Sequence, residues 1–223
     1  MQDYYLFVDT ETSGLPKNWE AAYATKNNWP HVIQMAWVVY DYQWKEVIRK
    51  NFYVKNDKIK IERSAQKIHH ISVQYLHEFG IDIQIILDDF SNDVLKYNPI
   101  LIGHFIEFDY HMINVELYRT GKKNILEDLQ KFCTMKASKP YVLNPSKDLL
   151  KLNEFYFELF KEEPADFHNA LSDALNTAKI FFHLLSKKEI TPEIMKQQTD
   201  NFRDNSDNMN TQTNNLFTRL FSL

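Results

Sequence analysis

The sequence has almost nothing that would crosslink it, hold it in a membrane or coat it with positive charge. One cysteine, Cys133, stands among 223 residues. That count excludes an intrachain disulfide and a four-cysteine zinc site, and it predicts a reducing compartment. No apolar run approaches the roughly 18 residues that a membrane span needs. The opening Met1-Gln2-Asp3-Tyr4-Tyr5 has no basic n-region and no long apolar stretch, so no signal peptide is predicted and a cytoplasmic location is expected. Basic residues number 26 against 30 acidic, a net charge of −4. A general nucleic-acid coater is normally basic. Attraction to a polyanion would therefore have to be local, through metal ions or a small lysine patch.

What is present is a strongly patterned chain. Apolar residues make up 44%, enough for the core of one α/β domain of this length. Leu6-Phe7-Val8 enters Asp9 as a short buried strand. Residues 10–30 collect Gly14, Pro16, Asn18, Asn27, Asn28 and Pro30, which predicts a long loop with a helical turn around residues 19–24. Loops of that length usually serve a site. Residues 32–42 and 47–54 are rich in β-branched and aromatic side chains and predict an antiparallel strand pair. Short helices are predicted over residues 64–70 and 73–79, and a longer one over residues 82–97. A buried strand follows Asn98-Pro99 at residues 100–103. Helices over residues 107–120, 149–160 and 170–186 complete the pattern, the first stopped by Gly121. The order implies an α/β domain with a mixed sheet.

The composition shifts after Thr199. Asn201, Asn205, Asn208, Asn210, Asn214 and Asn215 dominate a segment too polar to fold alone. The expected organisation is a domain over residues 1–199 and a flexible Asn-rich tail over residues 200–223. The tail ends in the apolar peptide 216–223, read either as a frayed end or as a motif that docks on a partner.

Four acids stand out by position. Asp9 and Glu11 sit two apart at the end of the first strand, so both carboxylates point to one side. Asp109 lies near the start of the helix that follows the 100–103 strand. Asp173 lies in the first turn of the 170–186 helix, with His168 five residues before it. Two carboxylates 4 Å apart repel by about 4 kcal/mol at an effective dielectric near 20. If the four converge, divalent cations are the natural compensation, and Mg²⁺ or Mn²⁺ suits an all-carboxylate set. Two such ions clamp the oxygens of a phosphoryl displacement, and a neutral histidine can take a proton from the attacking water.

These residues also carry a resemblance. Phe7-Val8-Asp9-Thr10-Glu11-Thr12-Ser13-Gly14-Leu15 is similar to the first motif of the DEDDh 3′→5′ exonucleases, the group of the proofreading epsilon subunit of bacterial DNA polymerase III. Gly103-His104-Phe105-Ile106-Glu107-Phe108-Asp109 resembles the second motif, and His168-Asn169-Ala170-Leu171-Ser172-Asp173-Ala174 the third. The resemblance covers about residues 4 to 186. It implies a ribonuclease H-like α/β fold with a mixed five-stranded sheet flanked by helices. It also implies two divalent ions, Mg²⁺ or Mn²⁺, and release of nucleoside 5′-monophosphates from a free 3′ end. By position, Asp9, Glu11 and Asp173 would hold the tighter ion, Asp9 would bridge to a second ion held by Asp109, and His168 would be the general base. Thr12 and Leu15 fall where the family loop meets the terminal nucleotide; His104, Phe105 and Phe108 are further substrate candidates. One departure is clear: the second motif usually reads His-Asn, and here Phe105 follows His104.

The expected partner is nucleic acid with a free 3′ end, in particular single-stranded DNA, with a polymerase or sliding clamp reached through the tail. An RNA-trimming exonuclease and a non-catalytic nucleic-acid-binding module are the alternatives. Lys131, Lys136, Lys139, Lys147 and Lys151 are open to two readings, a solvated surface or a phosphate track. Cys133 is expected to be a small buried hydrophobe, and the scattered histidines offer no zinc-ligand spacing.

Overall fold

The computed structural model describes residues 3–56, 58–164 and 168–207, with side chains to residue 202. Five strands form one sheet: β1 Tyr4–Thr12, β2 Val32–Asp41, β3 Glu46–Tyr53, β4 Ile100–Gly103 and β5 Lys131–Cys133. Their spatial order is β3-β2-β1-β4-β5. β1 and β2 pair antiparallel, as do β2 and β3, whereas β4 runs parallel to both β1 and β5. The expected mixed five-stranded sheet is therefore present. β5 has only three residues, too few for a periodicity to announce it.

Side chains alternate across the central strand. Leu6 and Val8 of β1 enter one core with Trp37, Leu101 and the apolar stripes of α3 Ile83–Tyr97 and α4 Ile106–Arg119. Phe7 enters the other with Ile102, Phe132, Phe155 and Phe181, the last two from α6 Leu152–Phe160 and α7 Ala170–Ser186. Both faces of the inner sheet are thus covered, which explains why β2 and β4 read as near-continuous apolar runs while the edge strand β3 does not. Each fully buried Phe or Leu contributes roughly 1.5–3 kcal/mol. A third, smaller cluster of Ile33, Ile59, Ile71 and Leu76 seats α1 Arg63–His69 and α2 Val73–Phe79.

Local chemistry sets the ends of these helices. Asp82 caps α3 through Gln84 N–H at 2.7 Å, and Asn169 caps α7 through Leu171 N–H at 3.2 Å. Gly103 allows a close strand-to-helix turn: a Cβ there would lie 2.9 Å from Ile106 Cδ1. The loop after β1 contains turns but no helix at residues 19–24. Its aromatic residues anchor it from the side instead. Trp29 stacks on His111 at 5.7 Å, and the Tyr23 hydroxyl lies 2.8 Å from His111 Nδ1.

The short helix α5 Thr134–Ala137 follows β5, and α8 Pro192–Asp207 docks on it. Thr199 Oγ1 accepts from Lys131 N–H at 3.0 Å, and Gln198 Oε1 accepts from Cys133 N–H at 2.8 Å. Side chains of α8 therefore satisfy the outer edge of β5, which would otherwise stay open. Helix α8 runs past the composition shift at residue 199, and Phe202 is buried against Tyr110. Polar composition hid this helix, because one stripe is enough to hold it. The peptide 216–223 lies outside the described residues. Among the described residues no helix is long and apolar enough to cross a membrane.

Candidate active site

The site lies at the carboxyl ends of β1 and β4, where open α/β sheets carry their ligands. Asp9 and Glu11 project from β1 on the face covered by α7. Ligand oxygens of Asp9, Glu11 and Asp173 fall within 4.8 Å of one another. Asp109 arrives from α4 on the opposite face. It reaches the same place because Thr10, between the two β1 acids, donates its hydroxyl to Asp109 Oδ1 at 2.8 Å. The four acids thus converge from three elements and both faces of the sheet. They line one cleft of about 410 Å³ together with His168.

The position of Asp173 depends on a residue that the sequence pattern did not flag. Gln34 is the cross-strand neighbour of Glu11 and is fully buried. Its Oε1 accepts from Ala170 N–H, the first residue of α7, at 3.4 Å, and its Nε2 donates to Asn51 Oδ1 at 2.9 Å. Gln34 therefore ties the start of α7 beside Glu11 and brings Asp173, one turn on, over the acid pair. The available signal was a lone amide inside the apolar run Val32-Ile33-Gln34-Met35-Ala36-Trp37. The β1–β2 register also shifts between Glu11 and Thr12. Such a bulge re-aims the chain at a site rim.

Electrostatics mark the cluster as costly when empty of cations. Burial, then Asp109, Asp173 and Glu11, push the Asp9 carboxyl well above the usual range. Burial, then Asp173 and Asp109, raise Glu11 to about 8. Burial lifts Asp109 to about 8 against the opposing hydrogen bonds from Thr10, and lifts Asp173 to about 7. Asp173 Oδ1 is buried without a hydrogen-bond partner. Raised carboxylates, an orphaned oxygen and an all-oxygen donor set fit a hard divalent cation.

The other predicted residues divide. His168 is half-buried with φ 66°; burial, then His70 and Lys151, lower its pKa, so the imidazole is neutral near pH 7. Leu15, Thr12, Phe105 and Phe108 line the cleft. The Thr12 hydroxyl is directed inward, donating to the Gly14 carbonyl at 2.7 Å. Phe105 adopts φ 74° at the start of α4, a cost of roughly 1–2 kcal/mol for a residue with a side chain. Its ring stacks on Phe108 at 6.5 Å and packs against Trp19. His104 also lines the cleft, but both ring nitrogens face protein, Nδ1 3.0 Å from Thr134 Oγ1 and Nε2 3.1 Å from the Leu150 carbonyl. The space left by Gly14 is filled by the Glu62 side chain, 2.6 Å from where a Cβ would stand.

The lysines do not form one track. Lys131 is buried, donating to the carbonyls of Glu127 and Leu129 at 2.8 and 2.9 Å beneath the rings of Tyr110 and Phe202. Lys136 pairs with Glu107, and Lys147 with Glu154. Of the five, Lys151 alone lines the cleft. Cys133 is buried, as expected.

An exonuclease family model, RNase T, matches residues 6–181, from within β1 into α7, the helix that carries Asp173. The chain belongs to this exonuclease family. It is the group of DEDDh exonucleases that the three motifs resemble. Among solved structures, this exonuclease superposes on E. coli exonuclease I in complex with a dT13 oligonucleotide, with a TM-score of 0.69 and 17% identity over 84% of this chain and 42% of that one. The E. coli exonuclease I complex with a dA16 oligonucleotide gives 0.63 and 17% over 88% and 43%. An exonuclease I complex with SSB-Ct gives 0.66 and 18% over 88% and 43%. At such identities the likeness establishes the ribonuclease H-like fold, and the exonuclease spans less than half the length of those chains. No curated protein sequence matches it.

Proposed function

We propose that this exonuclease removes nucleoside 5′-monophosphates from the free 3′ end of single-stranded DNA, with two Mg²⁺ or Mn²⁺ ions at its acidic cluster. The observation that carries this reading is the convergence of Asp9, Glu11 and Asp173 within 4.8 Å, in a cleft that also holds Asp109 and His168. Asp9, Glu11 and Asp173 would hold one ion; Asp109, oriented by Thr10, would serve the second together with Asp9. Bound divalent ions supply positive charge to the phosphate oxygens and make water a better nucleophile.

The chain's own side chains account for the rest. Neutral His168 takes a proton from the attacking water, and the bond broken joins phosphorus to the 3′ oxygen of the preceding nucleotide. Leu15 and Phe108 give the terminal base apolar surface, with the buried Phe105 packed behind Phe108, and rings bind any base because every base has a π-face. With its ring nitrogens engaged by Thr134 and Leu150, His104 supports the cleft wall rather than contacting substrate. DNA is favoured over RNA because the first motif has the epsilon-like form and the superposing exonuclease I structures carry dT13 and dA16.

Matched DNA and RNA strands labelled at the 3′ or the 5′ end test the proposal. The expected result is immediate release of 3′ label as mononucleotide and a descending ladder from 5′ label, on DNA, abolished by EDTA. Asp9→Ala should abolish this turnover in a folded protein. Metal-independent cleavage, internal cuts or a preference for RNA would each overturn the corresponding part.

A further inference from the structure

We propose that the strand upstream of the cleaved bond leaves the cleft over α1, its phosphates held by Lys60, Arg63 and Lys67; this rests on the nuclease reading above. The global charge is −4, yet residues 55–67 hold five basic and two acidic side chains. This segment borders the cleft directly: Ser64, Ala65, Ile68 and His69 of α1 form part of its wall.

Helix geometry places Arg63 and Lys67 on the solvent side of α1, next to the part of the wall formed by Ser64 and Ile68 and away from Ala65 and His69. Residues four apart lie one above the other. Ser64 and Ile68 make one such ridge, facing the cleft. Arg63 and Lys67 make the adjacent ridge, and Lys60 precedes it in the chain. All three are exposed, and among the described residues no acidic side chain pairs with them. Two lysines elsewhere differ, since Glu107 neutralises Lys136 and Glu154 neutralises Lys147, while Lys151 adds a cation to the cleft wall itself. Glu62, one of the two acids within the segment, has its side chain against Gly14. Among the described residues, the unpaired positive charge at this rim of the cleft lies on α1 and on Lys60 just before it. A strand leaving a site rich in carboxylates is repelled there and drawn toward this ridge.

The test uses a triple variant, Lys60→Gln, Arg63→Gln and Lys67→Gln, in the full chain. Binding of a fluorescent oligothymidylate of about 20 nucleotides is followed by anisotropy in EDTA across a salt series. Loss of three phosphate contacts should reduce the slope of log K against log salt by about 2. Cleavage of a single-nucleotide substrate, the p-nitrophenyl ester of thymidine 5′-monophosphate, should keep its wild-type rate with Mn²⁺, because that substrate occupies the cleft alone. An unchanged slope, or an equal loss on both substrates, would overturn the track. If the wild-type chain binds the oligonucleotide but cleaves neither substrate, the nuclease reading falls, while a slope difference still upholds the track.

Discussion

Thr10 donates its hydroxyl to Asp109 Oδ1 at 2.8 Å across ninety-nine positions of chain. The bond joins the strand that carries Asp9 and Glu11 to the helix on the opposite face of the sheet. Thr10→Val keeps the shape and removes the donor. Asp109 should then titrate still higher, and Mn²⁺ affinity should fall about 10-fold, as is typical when a group orienting a ligand is lost. Calorimetric titration checks this, and unchanged affinity would mean that helix packing alone positions Asp109.

The metal-free protein should lose stability as pH rises. Glu11 and Asp109 at about 8 and Asp173 at about 7 stand above their ordinary carboxylate values. Through pH 5 to 8 these carboxyls hold more protons in the folded chain than in the unfolded chain, whereas His69, His104 and His111, lowered to about 4, hold fewer until the unfolded histidines lose theirs near pH 6.5; above that pH the carboxyls dominate and the free energy of unfolding declines. The melting temperature in EDTA should be lower at pH 8 than at pH 6.5. Added Mn²⁺ should restore more of it at pH 8, because only the ionised carboxylates bind the ion. A rise in EDTA over the same range would refute the electrostatic account.

His168→Ala should reduce turnover by about 10²–10⁴-fold at neutral pH while leaving Mn²⁺ affinity near wild type. Measuring both separates loss of a proton acceptor from loss of a metal ligand. A rate within a few-fold of wild type would remove His168 from the chemistry.

Gln34→Leu tests whether the buried amide, and not only packing, sets the start of α7. The substitution leaves Ala170 N–H and Asn51 Oδ1 without a partner. It should lower stability by about 1–3 kcal/mol. It should also weaken Mn²⁺ binding, since Asp173 is carried by that helix. Loss of stability in urea denaturation with undiminished metal affinity would confine Gln34 to a structural part.

Much of this protein was legible in its residue order. Strand and helix periods foretold the layers, because alternation and the 3.6-residue repeat are local properties of the chain. The three motifs named the four acids and His168, because spacing along a strand or helix fixes which side chains share a side. The contacts made by those residues depend on distant parts of the chain. Spacing alone did not reveal that Thr10 would meet Asp109, that Gln34 would tie down α7, or that both ring nitrogens of His104 would face its own protein. Lys131 looked like a surface cation until α8 folded over it, and the lysine series divided into buried, paired and cleft-lining members. Local pattern determined the elements and the reactive groups. The tertiary structure decided which groups meet, because distances between residues far apart in sequence arise only when the two faces of the sheet are packed.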